Sequence, residues 1–196
     1  MRPSDLRSRL QHIDDRREAL RSTLGPILGH ADRIVWEVGC GHGHYLTAYA
    51  KAHPGEKCVG IDIASDRVAR AERKRQRARL EQLHFVRADA EDFLSVAPPG
   101  CRFTAVLILF PDPWPKRRHH KNRLMTAGFL SRSAAFAEAG ARLYFRTDHE
   151  PYFREAEAIV GSHPDWLRAD GAWPLEEPTV FERRAPRHFS LVAARR

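Results

Sequence analysis

Hydrophobic residues in this chain follow two rhythms. Near the start, Leu6, Leu10, Ile13, Leu20 and Leu24 recur at helical spacing among arginines and aspartates, which predicts an amphipathic helix over about residues 4–24, packed on the rest of the domain. From Arg33 onward, short apolar runs take over: Ile34 to Val38, Lys57 to Ile63, His84 to Arg87, Ala105 to Phe110 and Ala141 to Arg146. These have the length of strands buried on both faces. Helical patterns lie between them, one around Tyr45 to His53 and a strongly basic one around Asp66 to Leu83. Strand and helix in alternation predict an α/β fold, a mostly parallel sheet with helices on both faces. The Pro- and Gly-containing stretches Val96 to Arg102 and Gly161 to Pro178 read as loops inside one domain spanning 1–196. No repeat is evident.

Composition changes this picture in one respect. The 33 Lys and Arg residues exceed the 25 Asp and Glu, for a net charge of +8, so an anionic partner is favoured without being named. The apolar runs fall far short of the ~20 residues a membrane helix needs, and the first residues lack an apolar signal segment. A cytoplasmic location and no membrane partner are therefore expected. Cys40, Cys58 and Cys101 are scattered without paired spacing, and read as reduced structural thiols rather than a disulfide framework or a zinc site.

Candidate chemistry begins where the first strand hands over to the first helix, at Glu37-Val38-Gly39-Cys40-Gly41-His42-Gly43. Glycines at that point let the backbone approach a ligand, and Gly39, Gly41 and Gly43 are candidate cofactor contacts. A dinucleotide fingerprint would place its third glycine at 44, which is His44; the G-x-G-x-G spacing after an acid favours S-adenosylmethionine over NAD. That cofactor has no pyrophosphate for a helix N-terminus, but it does carry an ammonium and a sulfonium that Glu37 can complement. Asp62 ends the second strand about 20 residues on, where a carboxylate can accept both ribose hydroxyls. Asp89, after the third strand, can accept from the adenine amine. Each acid alone reads equally well as a turn residue or helix cap. Three at successive strand ends make a pattern. His42 and His44 lack a third partner at ligand spacing, so no metal is expected.

The fourth strand runs into Phe110-Pro111-Asp112-Pro113-Trp114-Pro115-Lys116-Arg117-Arg118-His119-His120-Lys121. Three prolines fix φ and bias the residues before them to extended geometry, holding Asp112 at a strand's carboxyl end, where open α/β sheets bind ligands. A basic string follows at once. The helix bearing Arg67, Arg70, Arg73, Lys74, Arg75, Arg77 and Arg79 reads as an RNA footprint or, equally, as a solvated face.

Taken with Arg146-Thr147-Asp148-His149-Glu150 and Thr179-Val180-Phe181-Glu182-Arg183, these motifs resemble the bacterial tRNA (guanine-N7)-methyltransferase family from about Val35 onward. The proline and basic segment is the most specific of them. The resemblance implies a Rossmann-like class I methyltransferase with a seven-stranded sheet. Its implied activity is transfer of a methyl group from S-adenosylmethionine to N7 of a guanine in the tRNA variable loop, with tRNA as partner and no obligatory protein partner. By position it implies cofactor contacts at Glu37, Asp62, Asp89 and Asp112, with Asp112 also at the active site. It implies substrate contacts at Lys116, Asp148, Thr179, Val180, Phe181 and Glu182, and RNA contacts at Arg118, His119, His120, Lys121, Asn122 and Arg123. Two positions depart from the family pattern: Asp62 stands where a longer Glu is usual, and Ala185-Pro186 stands where a glycine is common. The competing readings are a class I methyltransferase acting on another RNA or a small molecule, and a non-catalytic RNA-binding protein.

Overall fold

The computed structural model describes residues 3–29, 32–176 and 187–196. Its strands are β1 (Arg33–Val38), β2 (Lys57–Asp62), β3 (Leu83–Arg87), β4 (Arg102–Leu109), β5 (Ala137–Thr147), β6 (Trp166–Arg168) and β7 (Phe189–Arg195). They form one sheet in the order β3-β2-β1-β4-β5-β7-β6. The first five strands run parallel, and β7 runs antiparallel between β5 and β6. The helices are α1 (Pro3–Leu24), α2 (His44–Ala52), α3 (Ser65–Ala78), α4 (Ala90–Val96), α5 (Ala127–Phe136) and α6 (Glu150–Gly161), with a 3-10 turn at Arg117–Asn122. The predicted mostly parallel sheet is the observed one.

Alternation along β1 divides the interior. Ile34, Trp36 and Val38 join one buried cluster, and Val35 joins a second on the opposite face. Trp36 stacks between Phe93 and Phe103, with both ring centroids 4.9 Å away. Truncating so enclosed an indole to alanine would cost about 3–5 kcal/mol. This first cluster anchors α4 and α5 to the sheet, and the second seats α2 and α3. The order of connection then matters for function. The chain winds outward from β1 through β2 to β3, then crosses back to β4 on the other side of β1. That reversal opens a crevice at the carboxyl ends of β1 and β4.

Several expectations need correcting. Among its described side chains the N-terminal apolar stripe is buried in its last turns, at Leu20 and Leu24, whereas Ile13 is half-buried and Leu10 is 52% exposed. The basic helix stops at Ala78, because Arg79 turns left-handed (φ 54°) and its N–H reaches back to the Arg75 and Gln76 carbonyls. Leu83 is thereby freed to begin β3. The stretch read as a loop, 161–178, contains β6, a three-residue edge strand held through the buried Trp166. The fourth strand ends one residue early. Phe110 has φ 52°, and Trp114 has φ 44°. Prolines follow both, so the expected extended geometry before proline fails at two of the three positions.

Candidate functional site

The glycine turn is fastened to the neighbouring strand before any ligand arrives. Gly39 and Cys40 N–H groups both donate to the Ile61 carbonyl at 2.8 Å, and Gly41 N–H donates to Asp62 Oδ2 at 3.0 Å. Asp62 Oδ1 accepts from Ala64 N–H at 2.9 Å, so one buried carboxylate fixes both the turn and the start of α3. Two such bonds leave acceptor capacity on its oxygens. The glycines differ in kind. Gly39 (φ 76°) and Gly41 (φ 53°) face open space, whereas a Cβ on Gly43 would lie 2.5 Å from the Phe85 ring and 2.7 Å from Ala71 Cβ. Gly43 is thus required by packing and Gly39 and Gly41 by backbone conformation, with room left for a ligand.

Glu37 lies between these elements, 3% exposed, and its Oε2 is buried without a hydrogen-bond partner. Burial, reinforced by the charge of Asp62 and partly offset by the Leu46 backbone, pushes its carboxyl up to about 8. A buried carboxylate with one oxygen unpartnered is costly unless a cation or donor meets it.

At the far end of the crevice, Asp89 caps α4, its Oδ1 accepting from Asp92 N–H at 2.8 Å, which is the innocent helix-cap role. Its second oxygen faces outward, 3.5 Å from Arg16 of α1. Arg16 also pairs with the buried Asp92, which Arg17 Nε reaches at 3.0 Å. Arg16, Leu20, Ile63, Arg87, Ala88, Asp89 and Asp92 line an open pocket of 210 Å³. Ile63 is 68% exposed and follows Asp62 directly, a bare apolar side chain at the strand end. Sequence reasoning missed it, although an isoleucine just past a strand-end acid was the available signal.

The corner after β4 is built by backbone strain. Left-handed geometry is rare for a bulky residue, and two instances bracket Pro111-Asp112-Pro113. Phe110 N–H is held by the Arg146 carbonyl at 2.8 Å, and the Trp114 ring meets His119 edge-on at 5.8 Å. Asp112 emerges exposed between them. Lys116, Arg118, Lys121 and Asn122 are exposed on or beside the 3-10 turn, with His119 and His120 half-buried. Arg123 departs from the expected RNA-contacting role. Its side chain is 1% exposed, donates to the Pro113 carbonyl at 2.8 Å, pairs with Glu155 and lies 4.9 Å from the Tyr152 ring. The guanidinium clamps the corner to α6 instead of facing solvent.

Asp148 is exposed at the end of β5. Beside it Arg146 is buried, with its guanidinium 3.8 Å from the Trp173 ring and its Nε donating to Ser190 Oγ at 2.9 Å. Trp173 and Leu175 carry the β6–β7 connection onto the second cluster, and Tyr45 of α2 donates to the Leu175 carbonyl at 3.2 Å. This brings a distant part of the chain to the same crevice, a placement the sequence did not signal. Thr179, Val180, Phe181 and Glu182, with Ala185 and Pro186, lie outside the described residues.

Glu37 and Asp62 therefore lie in the last residues of β1 and β2, and Asp89, Asp112 and Asp148 lie just past the carboxyl ends of β3, β4 and β5, along one edge. The orphaned Glu37 oxygen, the open space at Gly39 and Gly41 and the spare acceptors on Asp62 and Asp89 fit a ligand with a cationic end and a hydroxylated, amine-bearing end. Among the described residues, no cluster of three His, Cys, Asp or Glu is placed to hold a metal, and no helix is long and apolar enough to cross a membrane. All three cysteines are free and buried, burial pushing the Cys101 thiol up to about 11 and Cys58 to about 12. They are inert at neutral pH.

Sheet order and carboxyl-edge crevice together give the fold of the class I methyltransferases. The same fold is found in an rRNA methylase from Streptococcus thermophilus, with a TM-score of 0.57 at 13% identity over 90% of this chain and 94% of that one. Residues 31–188 match the model of a family described as "Putative methyltransferase". A tRNA (guanine-N(7)-)-methyltransferase of Mycolicibacterium gilvum is 30% identical, over 94% of this chain and 82% of its own length. That of Thermotoga maritima is 35% identical over 66% of this chain, which spans only 41% of that relative and 66% of the one from Nocardia farcinica. The chain belongs to the tRNA (guanine-N(7)-)-methyltransferase family.

Proposed function

We propose that this protein transfers a methyl group from S-adenosylmethionine to N7 of a guanine in the variable loop of tRNA, in the cytoplasm. One observation carries the reading: five strand-end acids line a single edge, and the fourth sits on a strained corner that leads directly into a basic turn. When bound, the cofactor supplies an electrophilic methyl on a sulfonium. Glu37 meets its cationic end, Asp62 accepts from the ribose hydroxyls, and Asp89 accepts from the adenine amine through the oxygen not used for capping. Gly39 and Gly41 admit it closely, while Gly43 keeps α2 seated.

Guanine N7 carries a lone pair and no proton, so the reaction needs no general base. Positioning supplies most of the catalysis, worth up to roughly 7–11 kcal/mol in well-oriented systems. Asp112 accepts hydrogen bonds from the guanine Watson-Crick edge and turns N7 toward the methyl, on a corner that Arg123 and the αL residues hold in place. Trp114 props that corner. Lys116, Arg118 and Lys121 meet RNA phosphates, and Asp148 borders the base. The likeness of Thr179 to Glu182 to the family's substrate-contacting stretch adds a further contact to this proposal.

The test is direct. Purified protein incubated with labelled cofactor and unmodified tRNA should incorporate label at a guanosine that becomes labile to aniline cleavage. Label at another atom, on another RNA only, or nowhere would overturn the assignment.

A further inference from the structure

Among the described residues, many arginines are paired with acids. Arg33 meets Glu138, Arg132 meets Glu91, Arg168 meets Glu157 and Arg195 meets Asp165, in addition to the Arg16, Arg17 and Asp92 cluster. The outer face of α3 gathers three that are not, in successive turns of one helix. Arg70, Arg73 and Arg77 are exposed, and no hydrogen bond or ion pair engages their side chains among the described residues. They recur at i, i+3 and i+7, so they share one face, opposite the buried Ala71 that seats the helix. The acids that could neutralise them are used elsewhere: Glu72 is bound by Arg75, and Asp66 sits in the first turn, where the helix dipole favours it.

A solubilising face would normally mix signs, and a basic residue in the last turn is explained by the helix dipole. Arg77 has that second explanation. Arg70 and Arg73, in mid-helix, do not. The position of the face is also informative. Arg67, at the head of the same row, lies 3.7 Å from Asp62, and Lys74 donates to the His42 carbonyl in the glycine turn at 2.7 Å. The row thus begins at the cofactor crevice and leads away from it, on the β2 side of the sheet, while the basic 3-10 turn follows β4 on the other side of β1.

We infer that the Arg70, Arg73 and Arg77 face of α3 is a second phosphate-binding surface for RNA, distinct from the basic turn after β4. It rests on the reading that tRNA is the substrate. Arg70 to Arg77 spans about 10 Å of helix, a length over which one strand of a duplex presents about three phosphates. Contacts of this kind position a structured RNA without reading its sequence. Two anchors on opposite sides of the crevice select an RNA large enough to touch both. A whole tRNA qualifies, and a short stem-loop carrying the target guanine engages only the basic turn.

The test uses the full chain with Arg70→Gln, Arg73→Gln and Arg77→Gln combined, substitutions that remove the charge while keeping good helix formers. Circular dichroism and S-adenosylhomocysteine affinity by calorimetry should match the wild type. The slope of log binding constant against log salt for whole tRNA should fall by about 2 to 3, since each lost phosphate contact removes somewhat under one unit. The KM for whole tRNA should rise at least tenfold with kcat unchanged, while the KM for the stem-loop stays the same. An unchanged salt slope and KM for whole tRNA, beside a wild type that binds it, would overturn the second surface and leave the tRNA reading standing. So would equal weakening of stem-loop and whole tRNA, or a loss confined to vesicles of anionic lipid. A wild type that binds no tRNA at any salt concentration would overturn both.

Discussion

Replacing Glu37 with glutamine should stabilise the ligand-free protein while weakening its hold on the cofactor, and the size of the first effect should depend on pH. The carboxyl is held at about 8 in the fold, against 4.5 for an unperturbed group, chiefly by burial and then by the negative charge of Asp62. Between those two values the folded state keeps a proton that the unfolded state has released. Stability therefore falls as pH rises through this window and levels off above it, with a slope set by the difference in bound protons. Going from pH 5 to pH 8, the accumulated loss is about 3–4 kcal/mol, an order-of-magnitude figure from the linkage relation. Glutamine has the same shape and no such loss, so the difference in stability between variant and wild type should widen by that amount. For a domain of this size that corresponds to roughly 10 °C in Tm. Denaturant unfolding of both proteins at pH 5, 6, 7 and 8 measures it, and titrations remote from position 37 cancel in the difference. An offset that stays constant across the series would refute the claim that a buried carboxyl with one oxygen unpartnered sits at position 37. A second arm tests what it is for. A cationic ligand group beside Glu37 should expel the proton below pH 8, so calorimetric heats of S-adenosylhomocysteine binding should vary with the ionisation enthalpy of the buffer for the wild type but not for Glu37→Gln.

The remaining predictions separate roles that the sequence alone blurred. Asp112→Asn should lower kcat on tRNA about 100-fold, as expected for a misplaced reacting base, with a much smaller change in cofactor affinity by calorimetry; unchanged turnover would remove its proposed role. Arg123→Ala should cost about 2 kcal/mol or more of stability by denaturant titration, because it leaves Glu155 and the Pro113 carbonyl without their buried partner. Its direct phosphate contribution should be nil, so that where the protein remains folded the salt slope for RNA binding matches the wild type. Asp92→Ala should cost about 1–2 kcal/mol and raise amide exchange in α1, since Arg16 and Arg17 both hold that buried carboxylate. Equal exchange in the variant would mean that Leu20 and Leu24 alone dock the helix.

The two kinds of glycine in one turn show what was legible beforehand and what was not. The turn itself was readable, because strand, glycines and helix come in sequence and local rules govern each. So were the five parallel strands, whose apolar runs need no long-range information. The spacing could not show that Gly43 answers to Phe85, 42 positions along the chain, while Gly39 answers only to its own φ. Non-local packing decides such cases. A Gly43→Ala variant should accordingly lose about 2–4 kcal/mol, combining left-handed strain with overlap at the Phe85 ring, whereas Gly39→Ala should lose only about 1 kcal/mol and act mainly on cofactor affinity. Arg123 follows the same logic. Within a run of cations it looked like one more phosphate contact, and only Glu155 and Tyr152, supplied by α6, turn it inward. Phe110 and Trp114 resisted reading for a related reason: a preceding-proline rule predicts extended backbone from two residues, but the hydrogen bond from Phe110 N–H to the Arg146 carbonyl comes from a different strand. Where the sheet's edge over-determines the backbone, local preference loses. That loss is concentrated on the corner that carries Asp112, where strain held by the surrounding fold is what a positioning mechanism requires.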